Sequence, residues 1–141
     1  MNVRSFRLSD YAVVKQLLAD VFSQSCYNVT MDALGNQLSW DSEMVMVAEH
    51  RMSREVIGII IGTIDNNNGY YYRIAVRADY RRQGVGKAMI ESLKKRFLLR
   101  EVNRIMVSVD VHNESIIPLY KSLGYTTNDF LPPNRLRIVA Q

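Results

Sequence analysis

The chain has 141 residues, 48% of them apolar and 23% charged, enough to bury a core without metals or disulfides. Its only cysteine, Cys26, excludes an internal disulfide and reads as a small buried hydrophobe in a reducing compartment. The longest apolar run, Val56 to Ile64, holds two glycines and is too short to span a bilayer. The first residues lack the apolar stretch of a signal peptide, so a cytoplasmic location and no membrane partner are expected.

Charge is unevenly spread. Residues 1–70 carry 5 Lys/Arg against 8 Asp/Glu, and residues 71–141 carry 13 against 6, within a net charge of +4. A basic half suits an anionic partner and an acidic half a cationic one.

Taken in chain order, Val3 to Arg7 reads as a strand. Ser9 is expected to cap a helix with Val13, Val14, Leu17, Leu18, Val21 and Phe22 at helical spacing. Thr30 to Trp40 reads as a weaker helix. Glu43 to His50 and Val56 to Ile64 are β-rich, and Asp65 to Gly69 is a turn, since Asn and Gly tolerate positive φ. Tyr70 to Val76 is the returning arm. Gly84 to Arg100 is helical, with Val85, Met89, Leu93 and Phe97 on one face and Glu91 paired with Lys95 on another. Arg104 to Asp110 is a strand, Glu114 to Leu123 a helix stopped by Gly124, and Tyr125 to Phe130 and Leu136 to Val139 closing strands. Residues 77–112 form a crossover whose flanking strands run parallel. The expected fold is therefore α/β (α+β): a mixed, mostly antiparallel sheet of six to seven strands flanked by about four helices. No repeat or linker interrupts residues 1–141, so one domain is expected.

Chemistry concentrates in Ile74-Ala-Val-Arg-Ala-Asp-Tyr-Arg-Arg-Gln-Gly-Val-Gly-Lys87. A strand leads into two spaced glycines that open a helix, where unpaired N–H groups and the helix dipole attract anions. Arg81, Arg82 and Lys87 add positive charge. A P-loop does not fit, because Ala88 follows Lys87 and the first glycine is missing. A dinucleotide fingerprint does not fit either, because Met89 stands where a third small residue belongs.

Arg81-x-x-Gly84-x-Gly86, followed by Asn113-x-x-x-x-x-Leu119-Tyr120-x-x-x-Gly124-Tyr125, resembles the GNAT superfamily of N-acetyltransferases, over the C-terminal half of the chain. The resemblance implies the acyl-CoA N-acyltransferase fold, acetyl-CoA as co-substrate, no metal, and an amine acceptor that is a small molecule, a peptide or a protein. It implies that the backbone of Ile74, Ala75 and Val76 bonds the pantetheine arm. Arg81, Arg82, Gln83, Gly84, Val85, Gly86 and Lys87 would hold the pyrophosphate. Asn113 would reach the pantetheine region, unless it serves as a helix cap. Tyr120 would lie near the thioester sulfur and protonate the departing thiolate, although by spacing alone it is a core residue. Tyr70 and Tyr72 share a strand face and could line an acceptor pocket.

Relatives often carry a glutamate where Tyr70 or Ser108 stands here, and both carboxylates are missing. Asp110 is the best substitute base, ahead of Glu43, Glu49 and His112, with removal of the proton through ordered water as the simplest route. An N–H near Val76 would serve the oxyanion. Two other classes remain: a sensor that binds acyl-CoA without turnover, and a nucleic-acid binder, against which the compact basic turn argues. The chain is expected to be a monomer or homodimer.

Overall fold

The structure, a computed structural model, describes residues 1–139. Six strands form one sheet in the order β1-β2-β3-β4-β5-β6, with β1 at Asn2–Ser5, β2 at Val45–Glu49 and β3 at Val56–Asp65. The rest are β4 at Asn68–Val76, β5 at Ile105–Ser108 and β6 at Phe130–Leu131. The first three pairings are antiparallel; β4–β5 and β5–β6 are parallel. Helices α1 (Tyr11–Val21) and α2 (Gln24–Asp41) cover one face, and α3 (Val85–Leu99) and α4 (Ile117–Ser122) the other. This is the expected mixed fold, and the parallel crossover lies where the pattern put it.

Local chemistry explains most boundaries. β3 and β4 are joined by a two-residue turn in which Asn66 and Asn67 take φ of 51° and 62°, the left-handed geometry that matches sheet twist. Val85, Met89, Leu93 and Phe97 all face the sheet and are buried. Gly124, at φ 101°, ends α4: its N–H donates to the Lys121 carbonyl, and the Tyr125 N–H to the Tyr120 carbonyl.

Several expectations need correction. Ser9 is not the cap of α1. A 3-10 turn at Leu8–Asp10 precedes that helix and puts Asp10 in its cap position; Arg7 caps the turn, and its N–H donates to the Asp10 carboxylate at 2.8 Å. Helix α2 starts six residues before the expected Thr30, because the Ser23 hydroxyl accepts from the Cys26 N–H at 3.3 Å. Its buried face mixes Cys26, Thr30 and Gln37 with Ala33 and Leu34, which blurred the apolar period. Glu91 faces Lys87, at 4.0 Å, rather than Lys95.

The two closing strands reduce to Phe130–Leu131. Thr127–Asp129 is a 3-10 turn held by Asp129, which accepts from the Thr126 N–H. Residues 136–139 are not a strand; Leu136 and Ile138 instead plug the core under α1 and α2, and Asn36 donates to the Ile138 carbonyl at 2.8 Å. Pro132 and Pro133 lack the N–H groups a continuing ladder needs. Residues 140 and 141 lie outside the described range.

Near the start of the sheet, Arg4 bridges two buried carboxylates, donating to Asp10 at 2.8 and 2.9 Å and to Glu49 at 2.9 Å. The guanidinium holds both carboxyls below their usual range, with Arg7 helping at Asp10 and Asn2 at Glu49. A lowered folded-state pKa means the unfolded chain binds the proton more tightly. The stability these groups contribute is thus fully present above the ordinary carboxylate range of about pH 4–5 and is lost as pH falls through the lowered folded values. The urea midpoint should be level from pH 7 to 5 and drop below pH 4, and Arg4→Met should flatten that drop. A second test concerns Gly62, where a Cβ would lie 2.6 Å from Leu93 Cδ2 and 3.1 Å from Phe97 Cζ. Gly62→Ala should cost about 1–3 kcal/mol of unfolding free energy by overpacking, read from the same titration at pH 7.

Candidate active site

The site begins with a fault in β4. Opposite β3, Ile61 pairs with Arg73 and Gly62 with Tyr71, so Tyr72 is an extra residue, a β-bulge. The bulge reverses the pleat. Tyr70 and Tyr72 face α1 and α2, as do Arg73 and Ala75 beyond it, while Tyr71, Ile74 and Val76 pack on the opposite side. Pairing of β4 with β5 ends at Tyr71 and Val107. Past that point the two parallel strands separate, and the edge of β4 has no strand partner among the described residues.

Which backbone groups face the gap follows from the antiparallel alternation. The Arg77 N–H donates to the Ile57 carbonyl on β3, which puts the Ala75 pair on the β3 side as well. Ile74 and Val76 therefore turn their N–H and C=O groups toward the gap. Of the three residues expected to offer backbone bonds, Ile74 can offer both groups and Val76 its N–H, since the Val76 carbonyl accepts from Arg81 Nε at 3.4 Å, while the Ala75 groups lie on the β3 side.

Beyond β4 the chain turns into α3. Arg82 at φ 62° and Gly84 at φ 80° are left-handed, a backbone that gathers successive N–H groups into an anion-binding concavity. The N–H groups of residues 82 to 87 have no acceptor among the described residues; the first helical bond runs from Ala88 to Gly84. No protein atom stands within 4 Å of a Cβ added at Gly84, and at Gly86 only Ile74 and Leu119 side chains, both at 3.6 Å. The protein's own packing does not demand glycine at 86. Close approach of a bulky anion would.

A cavity of about 700 Å³ runs along this turn and through the gap. Of the expected cofactor residues, Ile74, Ala75, Val76, Arg81, Arg82, Gly84, Val85, Gly86, Lys87 and Asn113 line it, whereas Gln83 and Tyr120 do not. Asp110 does not line it either. Its Oδ2 accepts from Arg73 at 2.9 Å and its Oδ1 from the His112 N–H at 2.9 Å. Glu49 is bound to Arg4 at the far side of the sheet, and Glu43 accepts from Arg100. His112 lines the cavity, and its ring takes no hydrogen bond among the described residues.

Asn113 is not a side-chain cap. Its Nδ2 donates to the Ser108 carbonyl at 3.0 Å and its Oδ1 accepts from the Asp110 N–H at 2.8 Å, which ties off β5 where the ladder has ended. Tyr120, 2% exposed, packs its ring 5.2 Å from Tyr71 and 5.8 Å from Tyr125. Burial, with a smaller contribution from Tyr125, pushes its phenol well above the ordinary value. The Tyr120 hydroxyl has no partner among the described residues, whereas Tyr71 and Tyr125 share a hydroxyl bond of 2.8 Å.

The sequence reading missed two parts of the site. The α1–α2 junction, Val21 to Ser23 with Cys26, forms an apolar wall of the cavity. Arg73, 2% exposed, sits beside the gap, and its signal was a lone cation inside the apolar run from Tyr70 to Val76. The uneven charge also has an internal explanation, because Arg77 pairs with Glu55 and Arg100 with Asp41 and Glu43. Part of the acidic half neutralises part of the basic half.

The model of the acetyltransferase (GNAT) family matches residues 12–125. An acetyltransferase from Yersinia enterocolitica is 28% identical over 141 residues, covering 100% of this chain and 99% of its own length. The NatC complex bound to Gag peptide and CoA has the same fold, with a TM-score of 0.69 at 22% identity, covering 91% of each chain. So does a ribosomal-protein-alanine N-acetyltransferase from Brucella melitensis, with a TM-score of 0.68 at 17% identity over 88% of this chain and 83% of that one. The family match takes in the separated strands, the glycine turn and Tyr120 together, and by it this chain belongs to the acetyltransferase (GNAT) family of acetyl-CoA-dependent enzymes.

Proposed function

We propose that residues 1–141 act as one domain that transfers the acetyl group of acetyl-CoA to a primary amine by direct attack of the amine on the thioester. The observation that carries this reading is the run of six acceptor-free N–H groups, residues 82 to 87, at one end of a cavity that continues past the bare edge of β4. Diphosphate suits the first, and the amides of a pantetheine arm suit the second, as an added strand would. Arg81, Arg82 and Lys87 add charge for the phosphates.

Bound at that edge, acetyl-CoA supplies a thioester whose thiolate is a good leaving group. The Val76 N–H, turned into the gap, is suited to the developing oxyanion. An alkylammonium, with a pKa of about 10.4, must lose a proton before attack. Asp110 is poorly suited to that task, with both oxygens engaged. Among the described residues no carboxylate lines the cavity, and a ring nitrogen of His112 can accept a proton, so we assign the base to His112, directly or through solvent. Tyr120, kept protonated by burial, is assigned the return of a proton to the thiolate. The walls at Val21, Phe22 and Val111 favour an acceptor whose amine is carried on an apolar group rather than a polyamine. The small-molecule and peptide classes both include such amines.

A second reading, an acyl-CoA sensor without turnover, draws on a lining that holds no carboxylate among the described residues and does not include Tyr120. Thiol release from acetyl-CoA against a panel of amines, amino acids and peptides separates the two; release that no amine raises above background would favour the sensor. Two variants test the assignment further. Gly86→Ala should leave the urea midpoint level or raise it slightly, by about 0.5–1 kcal/mol, because glycine weakens a helix. The same change should weaken CoA affinity in a calorimetric titration; unchanged affinity would remove the phosphate role of the turn. Tyr120→Phe should lower kcat by about 10²-fold with CoA affinity unchanged. A wild-type kcat would leave Tyr120 as packing alone.

A further inference from the structure

Backbone pairing sets the spacing of β4 and β5 only as far as Tyr71 and Val107. Any ligand that lies between the strands needs the spacing fixed beyond that point, where no ladder exists. Arg73 is the first residue past the bulge, and its side chain is buried. Its Nη2 donates to Asp110 Oδ2 at 2.9 Å, on the extension of β5, and its Nε to Thr30 Oγ1 at 3.1 Å, on α2. Nη1 reaches the Tyr72 carbonyl at 3.4 Å, and the guanidinium stacks 4.5 Å from the centroid of the Tyr72 ring. One planar fork thus joins three elements.

Those elements carry the cavity walls. Asp110 accepts from the His112 N–H and donates its own N–H to Asn113, and His112 and Asn113 line one side. Thr30 lies one turn after Cys26 on α2, with 3.8 Å between the sulfur and the hydroxyl, and Cys26 lines another side. Burying the arginine of an ion pair is a poor way to gain stability, since well-packed apolar residues of the same volume do as well or better. Its use here calls for a geometric reason. Arginine rather than lysine fits, because a rigid fork fixes two partners at set angles where an ammonium fixes only a distance.

We propose that Arg73 is a positioning residue: through Asp110 and Thr30 it holds the loop after β5 and the start of α2 at a set distance from β4, and so fixes the width of the slot that takes the pantetheine arm. This rests on the acetyl-CoA reading of the cavity. It gives Asp110 a role other than base, since its carboxylate holds Arg73 on one side and His112 in place on the other.

The test is calorimetric titration of CoA into the wild type, Arg73→Met, Asp110→Asn and the double variant, with amide hydrogen exchange on each. Each single change should raise the CoA Kd about tenfold, equivalent to ~1.4 kcal/mol. The double variant should be no worse than the weaker single one, because both remove one strut. Exchange should quicken at residues 109–113 and 24–30 and stay level in β1 to β3. Arg73→Lys, which keeps the charge and loses the fork, should fall between and serves if Arg73→Met fails to fold. Wild-type Kd and exchange in the single variants would overturn the proposal, as would quickened exchange spread over the whole sheet. Asp110→Asn with wild-type Kd and no thiol release would return Asp110 to the role of base. A wild type that gives no heat with CoA would sink the acetyl-CoA reading, while the exchange pattern would still report whether Arg73 holds the loop.

Discussion

One extra residue in β4 governs the rest of this molecule. Tyr72 has no counterpart on β3, so the strand changes pleat there and can no longer follow β5. A sheet whose ladder continued would present no unpaired backbone inside the fold, because buried N–H and C=O groups are almost always paired. The bulge turns the Ile74 N–H and C=O and the Val76 N–H toward a gap, while the Val76 carbonyl accepts from Arg81 Nε. Every other component of the site is arranged around that gap: the glycine turn at its end, the loop from Val109 to Asn113 along one side, and the α1–α2 junction along the other.

The two faces of the sheet do different work as a result. On the α3 side the core is aromatic and tightly seated. Phe97 packs against Tyr71 at 5.4 Å, Tyr71 bonds Tyr125, and Gly62 and Gly69 leave room for Leu93 and Phe97 to reach the backbone. Close packing of that kind resists displacement, which suits a helix whose first turn we assign to the phosphates. On the α1 side the interior is polar near the gap, with Arg73, Asp110 and Thr30 linked. Polar links are directional where apolar packing is not, so they can hold a spacing without filling it.

The parts of the fold legible in the sequence were those with a strong period or a demanding turn. Val85, Met89, Leu93 and Phe97 announce α3, and Asn66-Asn67 announces a turn that only a few residue types accept. The crossover from β4 to β5 followed from the order of elements alone. What failed did so for local reasons. The polar buried face of α2 hid its first turn, and the segment after Pro133 looked like a strand because Leu136 and Ile138 alternate with arginines, although they bury themselves against α2 without a ladder. In the site, the glycine turn was readable because its chemistry is local: residues 82 to 87 form it by themselves. Arg73 was not readable, because its partners lie 37 and 43 positions away, and neither spacing nor composition points from one to another.

The same contrast bears on how Tyr120 is used. Its ring belongs to the aromatic cluster on the α3 side, while its hydroxyl has no partner among the described residues. Buried tyrosines usually find a hydrogen-bond partner, and two hydroxyls nearby have done so with each other. Tyr71 and Tyr125 are engaged with one another, and the Tyr71 hydroxyl also reaches the Ile90 carbonyl at 3.4 Å. The helix holds the backbone at Tyr120 twice over: the Leu123 and Tyr125 N–H groups both donate to the Tyr120 carbonyl, at 3.0 and 3.2 Å. A residue whose main chain is pinned and whose ring is packed has little freedom to move its hydroxyl. On the proposed reading, a hydroxyl held at one place by the packing of its ring is what proton transfer to a departing thiolate would require.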